Sequence, residues 1–156
     1  MPELPAVKVV VKNLKSVILN KNIEKILILQ NKLIKEIEPN DFINRVKNSK
    51  IIDINNIGKF IVFKLSNNEV IISHLRMEGK YRFLTHNYNI DKHCHLIFYF
   101  SDNTQLRYYD SRMFGTFHLR KTNDYLNTLP ISKLAKTPEK IDPNLLYEKI
   151  KIKKHK

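Results

Sequence analysis

The 156-residue sequence is poor in cysteine, glycine and acidic residues, and it has no long hydrophobic run. Its one cysteine, Cys94, excludes an internal disulfide and any zinc site that needs several cysteines of this chain. No apolar run approaches the ~18 residues of a membrane span, and the N-terminus lacks the pattern of a signal peptide. We therefore expect a cytoplasmic protein with no membrane partner.

Positive charge is abundant, because the chain has 28 lysines and arginines but only 15 acidic residues, which gives a formal net charge of +13. Such an excess favours a polyanionic partner, with nucleic acid first and an anionic membrane surface second. Charge alone also fits a basic RNA-binding or ribosome-associated β-domain. The partner therefore has to be identified from specific residues.

The hydrophobic pattern predicts an α+β fold. Apolar residues at helical spacing predict an amphipathic helix over about 5–20, and Pro39-Asn40-Asp41 predicts the start of a short second helix. Residues 23–34 alternate as a strand. Further short strands are predicted at 51–55, 59–65, 69–74, 79–84, 94–100, 104–109 and 115–119.

Many short strands separated by turns indicate a β-sandwich of about eight mostly antiparallel strands with two flanking helices. We expect this domain to cover residues 1–129. A linker is predicted at 130–143, and a lysine-rich helical stub at 144–156.

The N-terminal segment Met1-Pro2-Glu3-Leu4-Pro5 has two interpretations. In the first, Pro2 belongs to a disordered end and Pro5 opens a helix. In the second, removal of Met1 leaves the Pro2 amine as a nucleophile, since an α-amino group has a pKa of about 7.7–8.0 against about 10.4 for lysine. A secondary amine that attacks an aldehyde-like carbon gives a cationic iminium, and the Glu3 carboxylate could move protons beside it.

The chain has only three glycines, and each lies in a compact polar or basic cluster. These clusters are Gly58-Lys59, Arg76–Lys80 and Asp110–Gly115. Each glycine could serve an ordinary turn or bulge. Their order along the chain, after the N-terminal segment, is more informative than any one of them.

Five motifs in one order resemble the N-terminal domain of the formamidopyrimidine-DNA glycosylases, the bacterial base-excision repair enzymes also called MutM. The motifs are Met1–Pro5, Gly58-Lys59, Ser73–Lys80, Lys92–His95 and Asp110–Gly115. The resemblance covers about residues 1–150. It implies a bifunctional DNA glycosylase and abasic-site lyase that removes oxidised purines through an N-terminal proline Schiff base and β,δ-elimination.

The resemblance also implies catalytic roles. Pro2 would be the nucleophile, Glu3 the proton shuttle, and Lys59 a contact to the phosphate beside the lesion. A lysine on a Gly-Lys turn can approach a phosphate closely. The alternative for Lys59 is a solvated lysine at the edge of a strand.

Five further residues resemble the DNA contacts of the family. Met77, Arg112 and Phe114 match the residues that fill the gap left by an extruded base and face the opposite base. His74 and His93 resemble phosphate contacts. Met77 and Phe114 could instead belong to the core, and the histidines could be structural, but the polar neighbours of Met77 and Phe114 favour loop tips.

The sequence also departs from the family pattern. Ala6 stands where the family usually has Glu, which bears on base recognition and excision, and Lys8 replaces an acidic residue. The sequence stops about where the helix–two-turns–helix module of the family would begin, so we expect that module and its four-cysteine zinc finger to be absent, with no cofactor for this chain. The expected partners are damaged double-stranded DNA and a separate chain carrying the missing domain. A catalytically impaired DNA-binding remnant, or one half of a split enzyme, is the alternative function.

Overall fold

The computed structural model describes residues 3–136, and it confirms the α+β class with two antiparallel four-stranded sheets. In chain order the elements are α1 (Leu4–Ile18), β1 (Ile23–Ile28), a 3-10 turn (Asn31–Leu33), α2 (Pro39–Val46), β2 (Ile51–Ile57), β3 (Phe60–Leu65), β4 (Glu69–His74), β5 (Lys80–Leu84), β6 (Cys94–Phe100), β7 (Gln105–Tyr109), β8 (Thr116–Lys121) and a 3-10 helix (Ile131–Lys136).

The two sheets have the strand orders β1-β6-β7-β5 and β2-β3-β4-β8, here named the first and the second sheet. Apolar side chains of both sheets and of α1 form one core, with Phe63, Ile71, Phe98 and Leu106 almost fully buried. Each such side chain stabilises the fold by about 1.5–3 kcal/mol relative to exposure. The core fixes the two sheets against each other, and thereby fixes where their connecting loops meet.

The first helix packs against β2. Its buried residues Val7, Val11, Leu14 and Ile18 recur at the helical period, as the sequence predicts. The helix ends beside the start of β2, where the Asn20 amide donates to the carbonyl of residue 51 at 2.7 Å. This hydrogen bond fixes the end of α1 against the second sheet.

The second helix is tied to the second sheet through a buried carboxylate. Glu69 accepts hydrogen bonds from Arg45 at 2.7 and 2.9 Å and from Lys121 at 2.8 Å. Burial raises the pKa of Glu69, but these hydrogen bonds outweigh it and hold the pKa below its usual value. The ion cluster thus joins α2 to β4 and β8.

The predicted strand over residues 23–34 is too long. Strand β1 ends at residue 28, because the amides of Leu29 and Gln30 both donate to the His95 carbonyl and the chain then turns away from β6. Leu33 turns inward and is buried. The alternation of apolar residues therefore continues past the point where the strand loses its hydrogen-bonding partner.

The predicted linker over 130–143 is described only in part. Its residues 131–136 form the second 3-10 helix, and Ile131 packs with Tyr125, Val62 and Ile72 against the outer face of the second sheet. The remainder of that range and the predicted helix at 144–156 lie outside the described residues. Within residues 3–136, none of the helices has the length and apolar character needed to cross a membrane.

Candidate functional site

One end of the second sheet brings together three segments that the sequence analysis selects. The backbone pairs Ile57–Phe60, Phe60–His74 and His74–Thr116 lie side by side across β2, β3, β4 and β8. The Gly58-Lys59 turn, the 75–79 loop and the 110–115 loop therefore project from the same sheet end. We call these three segments the loop cluster.

The N-terminal segment packs on the same core as the loop cluster. Val7 at the start of α1 belongs to the core that also contains Leu75, and Met113 is partly buried against it. Glu3 precedes the helix, its carbonyl accepts the Val7 amide at 3.0 Å, and its exposed side chain does not cap the helix. The Glu3 side chain is therefore open to solvent at the start of α1. Pro2 lies outside the described residues, so its role stays a prediction.

Lys59 occupies the second position of a two-residue hairpin turn. Gly58 adopts a φ of +57°, which favours glycine, and its carbonyl accepts the Asn56 side-chain amide at 2.9 Å. A Cβ at Gly58 would lie 3.2 Å from Leu134 of the 3-10 helix. Turn conformation and packing together hold the backbone from which Lys59 extends, whereas sequence reasoning did not anticipate the contact with residue 134.

The His74 side chain is buried, with 8% of its surface exposed, and its ring already contacts neighbouring residues. Nδ1 accepts the Arg76 amide at 3.0 Å, and the ring meets Phe60 edge-on with centroids 4.9 Å apart. Burial, followed by the nearby charges of Arg76 and Lys59, lowers the pKa of His74 to about 4. His74 is therefore neutral near pH 7 with its proton on Nε2, so that it can offer a phosphate a neutral donor only.

The 75–79 and 110–115 loops expose the residues predicted to fill a gap in DNA. Met77 is 55% and Phe114 is 54% exposed, so both lie at loop tips and the alternative that they belong to the core is wrong. Arg112 is exposed in the second loop. Two apolar side chains and one guanidinium are thus presented together.

Buried polar groups support the second of these loops. The Asp110 carboxylate accepts the amides of Arg112, Met113 and Gly115, and the Asp110 amide donates to the His93 carbonyl at 3.0 Å. The His93 side chain is exposed beside this loop. Sequence reasoning selected His93 but missed Asp110 as a functional residue. An Asp followed by a polar turn is a pattern that could have indicated it.

The neighbourhood of Cys94 is structural. Cys94 is buried, and burial raises the pKa of its thiol above the usual value. The next residue, His95, is also buried and its Nε2 lies 2.7 Å from the Asp110 carbonyl oxygen. The His93-Cys94-His95 segment thus presents one exposed histidine and two buried anchors.

The 75–79 and 110–115 loops of the loop cluster each carry an arginine. Within the part of the chain that the structure describes, the guanidinium groups of Arg76 and Arg112 form no ion pair. Glu78 is the acidic neighbour in the first loop. Other carboxylates, such as Glu69 and Asp102, pair with cations outside the loop cluster. An electropositive surface of this kind suits a phosphate backbone.

A metal site is not formed by the described residues. Across residues 3–136 there is no group of three histidine, cysteine, aspartate or glutamate side chains that could hold a metal ion. The chemistry that this region can perform with its own side chains is proton transfer, anion binding and insertion of apolar groups.

The fold and this surface define a two-sheet α+β domain with exposed basic and apolar side chains at one sheet end. Comparison with known families identifies it further, because the model of the formamidopyrimidine-DNA glycosylase N-terminal domain matches residues 1–117. The chain belongs to this family.

Relatives that carry the family's name match nearly the whole chain. The chain is 49% identical over 154 residues to the formamidopyrimidine-DNA glycosylase of Mycoplasma mobile, covering 99% of this chain and 56% of the relative. It is 43% identical to the enzyme of Mycoplasmopsis pulmonis, covering 96% of this chain and 54% of that protein. The chain therefore spans about half the length of the curated relatives it matches.

Solved structures give the same result. The fold matches the Lactococcus lactis enzyme in complex with DNA that contains an abasic site, with a TM-score of 0.78, 32% identity, and coverage of 95% of this chain and 55% of that one. A complex of the same enzyme with Fapy-dG-containing DNA also has a TM-score of 0.78 and 32% identity, covering 94% of this chain and 56% of that one.

Proposed function

We propose that this chain acts in DNA base-excision repair, as the N-terminal part of a bifunctional DNA glycosylase and abasic-site lyase that removes oxidised purines. The observation that carries the proposal is the loop cluster. It gathers Lys59, Met77, Arg112 and Phe114 at one sheet end. Membership of the family and the DNA complexes of the Lactococcus lactis relative support the same role.

The proposed chemistry uses the amine of Pro2 as nucleophile. The amine attacks C1′ of the damaged nucleotide, the glycosidic bond breaks, and the base leaves with the bonding electrons and a proton. The C1′–O4′ bond of the sugar then breaks, O4′ takes up a proton, and the nitrogen lone pair forms an iminium with C1′. This iminium withdraws electrons, so loss of a C2′ proton expels the 3′ phosphate, and a second elimination expels the 5′ phosphate. Glu3 would accept and return protons during these steps.

Binding of the damaged strand is assigned to the basic side chains. Lys59 would contact the phosphate beside the lesion, and His93 a neighbouring phosphate. His74 would donate from neutral Nε2. Because these contacts read no sequence, they set affinity and register rather than base preference.

The gap in the duplex is assigned to the two loops. Extruding a base leaves a space that Met77 and Phe114 can fill with apolar surface, while Arg112 can donate to the base left unpaired. Damaged double-stranded DNA is thus the proposed partner. Residues equivalent to the other half of the relatives, on the same or on a separate chain, would be the second partner. One cysteine does not fit a four-cysteine zinc site, so no step is assigned to zinc.

A second candidate function is DNA binding without base excision. It is favoured by the first turn of α1, which contains no acidic residue and has an exposed alanine at position 6, where the family usually has Glu. Under this candidate, the loop cluster would bind damaged DNA and the excision step would be impaired.

Borohydride trapping on DNA with an abasic site tests the amine chemistry, and the same trapping on DNA with an oxidised purine separates the two candidates, because the base must be excised before that DNA can give an adduct. We expect a covalent adduct with the protein whose Met1 has been removed, and no adduct when extra residues precede Pro2. Pro2→Gly keeps an α-amine and should give a weaker adduct, while Lys59→Met should still give one and so excludes a lysine adduct. No adduct from the unextended protein at high concentration and low salt would overturn the lyase proposal.

A further inference from the structure

The Asp110 carboxylate is buried, and both of its oxygens accept hydrogen bonds. It is 1% exposed, and Oδ1 accepts the amides of Arg112 at 3.1 Å and Met113 at 3.0 Å. Oδ2 accepts the Gly115 amide and the Tyr108 hydroxyl, each at 2.8 Å. Four donors match the roughly four acceptor positions of a carboxylate. The 110–115 loop is therefore folded around one side chain.

The Tyr108 hydroxyl lies against both loops. A Cβ at Gly115 would be 1.7 Å from this oxygen, and a Cβ at Gly79 would be 2.4 Å from it. Neither glycine has a positive φ, so each is explained by close approach to the hydroxyl and its surroundings rather than by backbone conformation. Two of the three glycines of the chain thus face one oxygen atom, one from each loop.

The ring of Tyr108 is itself fixed. It is fully buried between Tyr81 and Phe117, with edge-on centroid distances of 5.3 and 5.0 Å. Burial, assisted by neighbouring Tyr81 and Asp110, raises the pKa of Tyr108, so the hydroxyl stays a neutral donor. The contact between the loops is consequently a rigid one.

Backbone strain lies next to both gap-filling side chains. Arg76 and Met113 each adopt a φ of +58°, directly before Met77 and Phe114. A left-handed conformation is unfavourable for a non-glycine residue, so surrounding contacts must hold it. His74 Nδ1 accepts the Arg76 amide and Asp110 accepts the Met113 amide. The strained residues are thus held by buried acceptors.

From these contacts we propose that Tyr108 and Asp110 are positioning residues for lesion recognition: they hold the 75–79 and 110–115 loops in one fixed arrangement, so that Met77, Arg112 and Phe114 enter the DNA as a unit. This inference rests on the proposed function. It follows from preorganisation, because groups that are already fixed lose less conformational entropy on binding.

Two substitutions of the pair test the inference. Tyr108→Phe removes the hydroxyl and keeps the ring, while Asp110→Asn replaces one acceptor oxygen by a donor and leaves backbone amides unpaired. Ile26→Val is the matched control, because it removes one methylene from the core on β1, an edge strand that, among the described residues, pairs only with β6 and not with a strand that borders either loop. Each variant of the full chain is compared with wild type at a temperature where all are folded.

The first measurement is hydrogen exchange. Tyr108→Phe should increase exchange in both loops although its hydroxyl donates only to Asp110, and Asp110→Asn should do so most at residues 112, 113 and 115. Ile26→Val should leave both loops at wild-type protection. If Tyr108→Phe leaves the exchange of the 75–79 loop unchanged, the coupling between the loops is refuted.

The second measurement is the ratio of affinities for a duplex with a stable abasic-site analogue and for the intact duplex. We expect the ratio to fall about tenfold in Asp110→Asn and less in Tyr108→Phe, with intact-duplex binding unchanged because it depends on phosphates. An equal fall of the ratio in Ile26→Val would overturn the positioning role. So would an unchanged ratio in a variant whose loops exchange faster than those of wild type. A wild type that binds both duplexes equally would contradict the proposed function, and hydrogen exchange would still decide the coupling.

Discussion

Gly115 has no room for a side chain. A Cβ there would lie 1.7 Å from the Tyr108 hydroxyl oxygen and 2.8 Å from its ring carbon Cζ. We expect Gly115→Ala to lower the free energy of unfolding by about 3 kcal/mol, the upper part of the range for overpacking in a buried site. Urea denaturation of both proteins measures the difference.

A double-mutant cycle identifies the cause of that loss. In a Tyr108→Phe background the oxygen is gone, so Gly115→Ala should cost less than in wild type, with a coupling of about 1 kcal/mol or more. Gly79→Ala should be rescued less, because its Cβ also meets the Leu75 carbonyl oxygen at 2.5 Å. Additive effects at Gly115 would show that the hydroxyl is not the obstacle.

His74 makes stability depend on pH. Burial lowers its pKa to about 4 in the folded state, whereas the unfolded side chain has the usual value of about 6.5. The unfolded chain therefore binds more protons between these values, and stability is lost as pH falls from about 6.5 towards 4. His118, whose pKa is also lowered chiefly by burial, acts in the same direction.

Thermal unfolding at several pH values between 7.5 and 4.5 tests this expectation. His74→Gln should flatten the dependence, because glutamine keeps a polar side chain and has no titration. His93→Gln is the control, since the His93 side chain is exposed, and it should leave the profile unchanged. A His74→Gln profile as steep as that of wild type would assign the pH dependence to other groups.

At the scale of elements, the Gly58-Lys59 turn between β2 and β3 carries Lys59, the proposed phosphate contact. We expect Lys59→Met to weaken DNA binding at low salt and to reduce the slope of log affinity against log salt by about 0.9, the value for one phosphate contact on duplex DNA. His74→Gln should leave the slope unchanged, because the histidine is neutral near pH 7. Fluorescence anisotropy with a labelled duplex, over a range of salt concentrations, provides both slopes.

The bounds of individual strands could be predicted from the sequence, whereas the strands with which they pair could not. Strands β4 and β6 have the predicted bounds, because alternating apolar residues end at turn residues on both sides. That β5 pairs with β7, and β8 with β4, depends on contacts far apart in the chain, which no local pattern contains. The strand predicted over 23–34 failed for the same reason, since its end is set by β6.

The site was predictable where the signal was local. Polar neighbours correctly placed Met77 and Phe114 at exposed loop tips. The role of Tyr108 was missed, because in the sequence it is one more aromatic residue of a buried strand. Its significance appears only when two glycines from different loops meet its hydroxyl.

At the scale of the whole molecule, two activities can be separated. Under the proposed function, cleavage at a preformed abasic site would need the amine, Glu3 and phosphate contacts, whereas base excision would also need groups that act on the damaged base. Ala6 is exposed in the first turn of α1, where the family usually has Glu. We therefore expect wild type to cleave abasic-site DNA faster than DNA with an oxidised purine.

Restoring the carboxylate tests this separation. Ala6→Glu should raise excision of an oxidised purine and leave abasic-site cleavage unchanged. It should also stabilise the fold by about 0.5 kcal/mol, because a negative charge at a helix N-terminus is favourable. Val9→Glu is the control, since it adds the same charge at an exposed position of the helix and should leave excision unaltered. Equal gains in both variants would attribute the effect to charge, and no gain in Ala6→Glu would show that excision is limited elsewhere, outside the first helical turn.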